Sequence, residues 1–279
     1  MSALSRPGTE GRPGRDGRLL RLPVVWMLVG IVGVAAASTF SLGGPVLGLV
    51  GAVAAVVVYR LVMHRVARRE TPEIAGRHAV PQFLFGSLFG VLFIGVSILA
   101  VLSEFEFSRS AGDLVPVTAS MAATSLGAAV TEELMFRGLL LQALERMAGS
   151  WVALGVTALL FGLLHLANPG ATLWSSIAIA VEAGVLLGAA FLWRRNLWFA
   201  VGLHFAWNTA VGLLGIPVSG HPADGVLVTR PTGPELLTGG DFGLEASLVP
   251  VLVSLLLAVP MLLAARRRGR LVSRGQAPH

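Results

Sequence analysis

The sequence predicts an all-α, polytopic membrane helix bundle of about eight transmembrane helices. Hydrophobic residues make up 54% of the 279 residues and charged residues only 13%, with a mean hydropathy of +0.77. An ordinary soluble domain carries about 25% charged residues. Uncharged apolar stretches recur along the chain at about the 20 residues that a helix needs to cross a bilayer. They lie at residues 22–42, 44–59, 80–102, 114–131, 149–166, 171–193, 197–215 and 246–265.

The arginines predict how this bundle is oriented. Eight alternating crossings place nearly all of them on one face of the membrane and leave only Arg109 and Arg230 on the other. By the positive-inside rule, both termini are then cytoplasmic. We expect an integral membrane protein whose net charge of +6 meets anionic lipid headgroups and not nucleic acid.

Two tails are predicted to flank the membrane domain. Residues 1–21 are rich in Arg, Gly and Pro and read as a disordered cytoplasmic tail, and residues 266–279 form a basic cytoplasmic tail. The membrane domain at 22–265 includes an extracytoplasmic Gly/Pro-rich loop at about 216–245. That loop is long enough to be a lid or a docking surface, with a tolerated insertion as the equal alternative. Its His221 is expected to be a surface residue.

Few ionisable residues interrupt the apolar spans, and each is a functional candidate because it costs about 2.5–3.5 kcal/mol on insertion scales. They are Glu132, Glu133, His165, Glu182 and His204, with Asn208 as a polar companion. On a helix, Glu133 and Arg137 share a face and can form an ion pair, whereas Glu132 is turned about 100° away. One carboxylate thus has a partner, and the other is free to face a cavity. Glu182 is expected to be a packing residue.

Helical rise predicts which of these groups can meet. If the fourth and fifth helices form a hairpin turning near Gly149, Glu132 and His165 both lie about 25 Å from the turn at 1.5 Å per residue. His204 lies only about 12 Å of helix from the cytoplasmic turn that precedes its own span. It can therefore join them only if the hairpin projects beyond the cytoplasmic surface.

Three fragments together resemble the motifs of a known family. Its pattern is two glutamates with an arginine four after the second, a phenylalanine four before a histidine, and a histidine four before an asparagine. The sequence has all three in order, as Glu132, Glu133 and Arg137, then Phe161 and His165, then His204 and Asn208. Over about residues 80–215 the chain resembles the CPBP (CAAX protease and bacteriocin-processing, or Abi) intramembrane endopeptidases.

The resemblance implies hydrolysis of a peptide bond in a membrane-embedded or lipid-modified peptide or protein. The CAAX type removes the last three residues after a prenylated cysteine. The catalytic set would be Glu132, His165, His204 and Asn208, supported by Glu133, Arg137 and Phe161. We expect Glu132 to be the base, His165 to hold the water, and His204 with Asn208 to face the oxyanion.

The cofactor and two other functions stay open at this point. A divalent metal such as zinc could be held by Glu132, His165 and His204, since two histidines and a glutamate form several catalytic zinc sites. A metal-independent, glutamate-activated water is the other mechanism. The alternatives to an enzyme are a non-catalytic membrane binding or bacteriocin self-immunity protein, and a proton-coupled transporter.

Overall fold

The structure is a computed structural model that describes residues 22–274. The predicted tail at 1–21 and the end of the basic tail at 275–279 lie outside the described residues. Eight helices correspond to the eight predicted crossings and confirm the all-α bundle. They are α1 (Pro23–Ser38), α2 (Pro45–Arg65), α3 (Ala79–Ala100), α4 (Leu114–Ala148), α5 (Ser150–Leu164), α6 (Leu173–Arg194), α7 (Leu197–Leu213) and α8 (Leu248–Arg267).

The helices divide into an inner pair, α6 and α7, and an outer set of six. Seven of those within residues 22–274 have the length and apolarity of a membrane span, and α7 is apolar but has only 17 residues. In α6, 78% of the apolar stretch is buried, against 22–39% in the other six. α3 and α4 pack on α7, while α5 and α8 pack on α6. The outer helices expose large apolar side chains, as expected of surfaces that face lipid.

The fourth helix is longer than predicted. The apolar pattern placed its end at residue 131, but α4 continues for 35 residues to Ala148. At 1.5 Å per residue it is about 52 Å long, well beyond a hydrocarbon core of about 30 Å. The helix can continue because Glu133 and Arg137 form a buried ion pair within it. The hairpin with α5 then turns at Gly149, where φ is +86° and glycine is favoured.

Close packing between α3 and α7 fixes the position of the helix that carries His204. A Cβ atom on Gly202 would overlap the carbonyl oxygen of Phe83, and one on Gly86 would overlap that of Phe199. Small residues allow two membrane helices to approach with their backbones nearly in contact. The glycines therefore set the distance between the two helices.

The Gly202→Val change is expected to destabilise the protein by about 1–3 kcal/mol, the usual cost of overpacking. Because the added atoms meet backbone, the two helices must move apart. The matched control is Gly95→Val in α3, where a Cβ has open space. Thermal unfolding in detergent measures both changes, and equal midpoints for the two variants would contradict the packing argument.

The connections at one end of the bundle form a small sheet that the sequence did not predict. β1 (Phe105–Arg109) pairs antiparallel with β2 (Leu227–Pro231) of the long loop. A helical turn at Glu235–Thr238 follows. Both strands are short, and each finds its partner more than a hundred residues away, so neither segment shows a hairpin pattern. The loop is thus folded onto the bundle through this strand pairing.

At the opposite end, arginines tie three connections together. Arg195 donates to both oxygens of Glu145, at 2.6 and 2.7 Å. The backbone N–H of Ser150 donates to the carbonyl of Val272 at 2.9 Å, and Arg195 also donates to the carbonyl of Arg270. The turn of the α4/α5 hairpin is therefore joined to the chain that follows α8.

Candidate active site

A buried charge cluster forms where α4 meets α7. The Oε1 atom of Glu133 accepts from Arg137 Nη1 at 2.9 Å and lies 3.0 Å from His204 Nδ1. Glu133 is fully buried and Arg137 is only 1% exposed. Since a carboxylate oxygen only accepts, the His204 ring must donate through Nδ1–H. Glu133 thereby fixes the orientation of the His204 ring, and Nε2 is the ring nitrogen that points away from Glu133.

Arg137 also reaches α6. Its Nη2 atom donates to the carbonyl oxygens of Ala183 at 2.6 Å and Gly184 at 3.2 Å. The guanidinium carbon lies 5.0 Å from the centre of the Phe161 ring, a cation–π contact. Burial of a charge is costly unless it is paired and hydrogen-bonded. The contacts to Glu133, the two carbonyls and Phe161 meet that requirement.

Both backbone segments at this cluster are π-helical. They are Leu134–Leu141 in α4 and Ala180–Val185 in α6. A π-helical turn disturbs the regular ladder of helix hydrogen bonds and is frequent at functional sites. It leaves carbonyl oxygens able to accept from a side chain, as those of Ala183 and Gly184 do here. Sequence reasoning missed both segments, because their residues are ordinary helix formers.

Glu132 faces a cavity and not the buried cluster. Its side chain is 30% exposed, and its Oε2 atom lies 4.0 Å from His204 Nε2. The cavity has a volume of about 460 Å³ and is lined by Glu132, Phe161, His165, His204 and Asn208 among others. The predicted division holds, with one carboxylate in the ion pair and the other open to a cavity. This contact also shows that His204 and Glu132 lie at the same depth in the helix bundle.

His165 directly follows the last residue of α5. Its Nδ1 atom lies 2.7 Å from the carbonyl oxygen of Phe161, so Nδ1–H donates to it. The two rings stack, with centroids 4.7 Å apart and planes inclined by 29°. The backbone carbonyl of Phe161 therefore holds His165, and the ring of Phe161 contacts Arg137. The remaining nitrogen of His165, Nε2, makes no hydrogen bond within residues 22–274.

Asn208 lies one helical turn after His204 on α7. Its side chain lines the cavity and its Oδ1 atom has no hydrogen-bond partner among the described residues. Buried amides are normally satisfied. Because this oxygen can only accept, a hydrogen bond donated to a group in the cavity has to come from the Nδ2 end of the amide.

The described residues do not fit a preformed metal site. Within residues 22–274, no three His, Asp or Glu side chains lie close enough together to hold a metal ion. Glu132, His165 and His204 line one cavity, and both histidines are anchored through Nδ1. Their donor atoms nevertheless do not converge at ligand distances, so the mechanism proposed below contains no metal-dependent step.

Sequence reasoning missed one buried carboxyl of the cavity, Glu245. It belongs to the long loop, three residues before α8, and is only 3% exposed. Its Oε2 atom accepts from Ser219 N at 2.5 Å and Ser219 Oγ at 2.8 Å. Burial raises the pKa of the Glu245 carboxyl, whereas Ser219, His165 and His204 act to lower it. The signal in the sequence was an acidic residue close to the start of an apolar span.

The long loop covers part of the cavity. Val218, Ser219, His221, Pro222 and Ala223 line it together with Glu245. His221 is exposed as predicted, yet it lies at the cavity. Of the seven residues proposed for the site, Glu133 and Arg137 do not line the cavity and lie behind it.

Comparison with known proteins supports the sequence motifs. A family model described as type II CAAX prenyl endopeptidase Rce1-like matches residues 114–210. Among curated proteins and among solved structures, no match was found. The matched segment runs from the start of α4 into α7 and contains Glu132, Phe161, His165, His204 and Asn208. The chain is therefore similar, over this segment, to the Rce1-like CAAX prenyl endopeptidases, which confirms the predicted resemblance to the CAAX protease family and supports an intramembrane endopeptidase activity.

Proposed function

We propose that the chain hydrolyses a peptide bond in a membrane-embedded or lipid-modified peptide through a water activated by Glu132. The observation that carries the proposal is the 4.0 Å separation of Glu132 Oε2 and His204 Nε2 at the cavity. A water can lie within hydrogen-bond distance of both atoms. Both side chains are also in the segment that matches the CAAX endopeptidases.

Each step of the hydrolysis has a residue in this cavity. Glu132 takes a proton from the water as its oxygen attacks the peptide carbonyl carbon. The amide of Asn208 donates to the oxyanion through Nδ2–H, and His204 donates there through Nε2–H when its ring carries a second proton. His165 helps to hold the water through Nε2. When the C–N bond breaks, Glu132 returns the proton to the leaving amine.

Glu133 and Arg137 have a positioning role in this proposal. Glu133 holds His204 through Nδ1, and Arg137 joins α4 to the carbonyls of α6. Catalytic groups need to be held close to their productive geometry. The ion pair therefore aligns three helices around Glu132 without contact with the substrate.

The proposal also covers the binding partners of the protein and its place in the cell. The substrate is a peptide or protein held at the membrane, and anionic lipids contact the arginine-rich end of the bundle. The termini lie in the cytoplasm, and the host membrane is a bacterial plasma membrane.

Proteolysis is expected to be insensitive to chelation. After incubation with EDTA and removal of the chelator, kcat/KM is expected to stay within about twofold, because no described step needs a metal-bound water. Initial rates with and without treatment provide the measurement, and bound metal is determined in parallel. Activity that disappears and returns with zinc would support the metal alternative for Glu132, His165 and His204.

Peptide mapping of the membrane proteome tests the function itself. New protein N-termini are compared between host cells with the wild type and with Glu132→Ala at equal abundance. A fragment that disappears with the change, and that the purified protein reproduces, would establish proteolysis and identify a substrate. An unchanged map where the protein has a phenotype would favour a membrane binding or self-immunity protein.

A further inference from the structure

A second buried polar cluster packs against α4 from the side of α2. We call it the Tyr59 cluster; it consists of Tyr59 in α2, Arg69 and Glu73 in the connection that follows α2, and Gln142 in α4. Tyr59 is fully buried and Glu73 is only 4% exposed. Arg69 donates to both oxygens of Glu73, at 2.8 and 3.2 Å, and the Tyr59 hydroxyl donates to the same carboxylate. None of these four side chains lines the cavity, so the proposed hydrolysis leaves the cluster without a role.

The cluster fixes the orientation of the Gln142 amide. Arg69 Nη2 donates to Gln142 Oε1 at 2.9 Å. Because a guanidinium only donates, the oxygen of the amide has to face Arg69. The Nε2 atom then points to the helix backbone, where it donates to the Gly138 carbonyl at 2.9 Å and to the Tyr59 hydroxyl at 3.2 Å. Arg69 and Tyr59 together therefore direct the amide to the carbonyl of Gly138.

The Gly138 carbonyl belongs to the π-helical segment Leu134–Leu141, which directly follows the two glutamates of the site. In a regular α-helix this carbonyl accepts from the backbone N–H of Gln142. Here that N–H donates to the carbonyl of Leu139, and the side chain of Gln142 binds the Gly138 carbonyl in its place. The Tyr59 cluster thus replaces a helix hydrogen bond that the π-helical segment lacks.

This carbonyl is one residue away from the buried ion pair. Arg137 precedes Gly138, and its guanidinium donates to Glu133, which in turn holds His204 through Nδ1. The Tyr59 ring also packs directly on the backbone here, since a Cβ atom on Gly138 would lie only 2.8 Å from Tyr59 Cε2. A continuous path of contacts therefore joins the Tyr59 cluster to the histidine of the site.

We propose that the Tyr59 cluster positions the site by holding the π-helical segment of α4, and with it Arg137 and the His204 ring. This inference rests on the proposed function and adds to it residues that act through others. Three of the four cluster residues lie outside residues 114–210, which match the endopeptidase family. Because the cluster does not form the cavity wall, its loss is expected to slow hydrolysis without weakening the binding of substrate.

Kinetics of Tyr59→Phe and Gln142→Met separate positioning from a purely structural role. Both changes keep most of the side-chain volume and remove polar atoms next to the Gly138 carbonyl. We expect kcat to fall about tenfold with KM unchanged, a smaller loss than the roughly 100-fold that a misplacement of about 1 Å can cause. The control is Ser254→Ala, which removes a buried hydroxyl of α8 and is expected to keep both constants. Rates are measured well below the unfolding midpoint, with the substrate found by proteome mapping.

A spectroscopic readout needs no turnover. Tyr59 is the only tyrosine of the chain, so protein labelled with a fluorinated tyrosine gives a single fluorine NMR resonance. We expect Glu133→Gln to move this resonance by more than its linewidth, because the path of contacts to the cluster starts at that carboxylate. Glu235→Gln removes a carboxylate of the long loop and is expected to leave the resonance in place. His204→Gln keeps the ion pair and replaces Glu133→Gln if that variant does not fold.

Wild-type kcat in folded Tyr59→Phe and Gln142→Met would overturn the inference, as would a resonance that stays in place when the site is changed. A raised KM with an unchanged kcat would also contradict it, because the cluster would then act on substrate binding. A resonance that moves in a protein that cleaves no peptide would leave the coupling standing and count against the proposed function. Cleavage that depends on Glu132 but not on the cluster would do the reverse.

Discussion

Purified protein with the Glu132→Gln change is expected to lose about 100- to 10,000-fold in kcat, the range that a general base contributes. The amide that replaces the carboxylate cannot take a proton from water. The change is nearly isosteric and lies at a site that is 30% exposed, so the fold is expected to persist. The measurement is cleavage of a substrate found by proteome mapping, at saturating concentration.

The control for this loss is Glu182→Gln. Glu182 is fully buried in α6, and neither of its carboxyl oxygens has a hydrogen-bond partner among the described residues. It does not line the cavity, so this variant is expected to keep the wild-type kcat. If Glu132→Gln retained full activity, or if Glu182→Gln lost as much, the assignment of the base would be wrong.

Removing one partner of the buried ion pair is expected to have the largest effect on stability. Arg137→Met leaves Glu133 buried without its counter-charge, and breaking such a pair costs about 3–5 kcal/mol. It also leaves the carbonyls of Ala183 and Gly184 without their donor. Thermal unfolding in detergent and the monodisperse fraction on size-exclusion chromatography measure the loss.

A double change separates the lost charge from the lost packing. Glu133→Gln combined with Arg137→Met removes both charges and is expected to recover part of the stability, because no uncompensated charge remains. Activity should not return, since His204 has lost its carboxylate partner. Arg266→Met, at an exposed position of α8, is expected to stay within about 0.5 kcal/mol of the wild type. A similar loss there would contradict the argument.

The sequence predicted the helices and the site motifs because both depend on local pattern. Apolar stretches of membrane length gave all eight helices, and helical spacing predicted the pairing of Glu133 with Arg137 and the separate direction of Glu132. The depth of His204 depended on how far the α4/α5 hairpin projects. The helix continues past these charges because Glu133 and Arg137 pair with each other and contact α7 and α6, whereas hydropathy alone reads the charges as the end of a span.

Long-range contacts account for what the sequence did not reveal. The β1–β2 pairing, the π-helical carbonyls that bind Arg137, and the placement of Glu245 at the cavity all join segments that are distant in the chain. None of them has a periodic signature. The sequence alone leaves the long loop open as a lid, a docking surface or an insertion, and only its contacts identify which of its residues reach the site.

The glycine contact between α3 and α7 has a consequence for motion. With Gly86 and Gly202 against the facing backbone, α3 and α7 have little room to slide or tilt against each other. The hydrogen bond between His204 and Glu133 fixes α7 against α4 as well, so Glu132, His204 and Asn208 are carried by helices that hold one another in place. The loop residues that line the cavity are then the part of its wall that is free to move when a peptide enters, on the nanosecond-to-microsecond scale of loop motions.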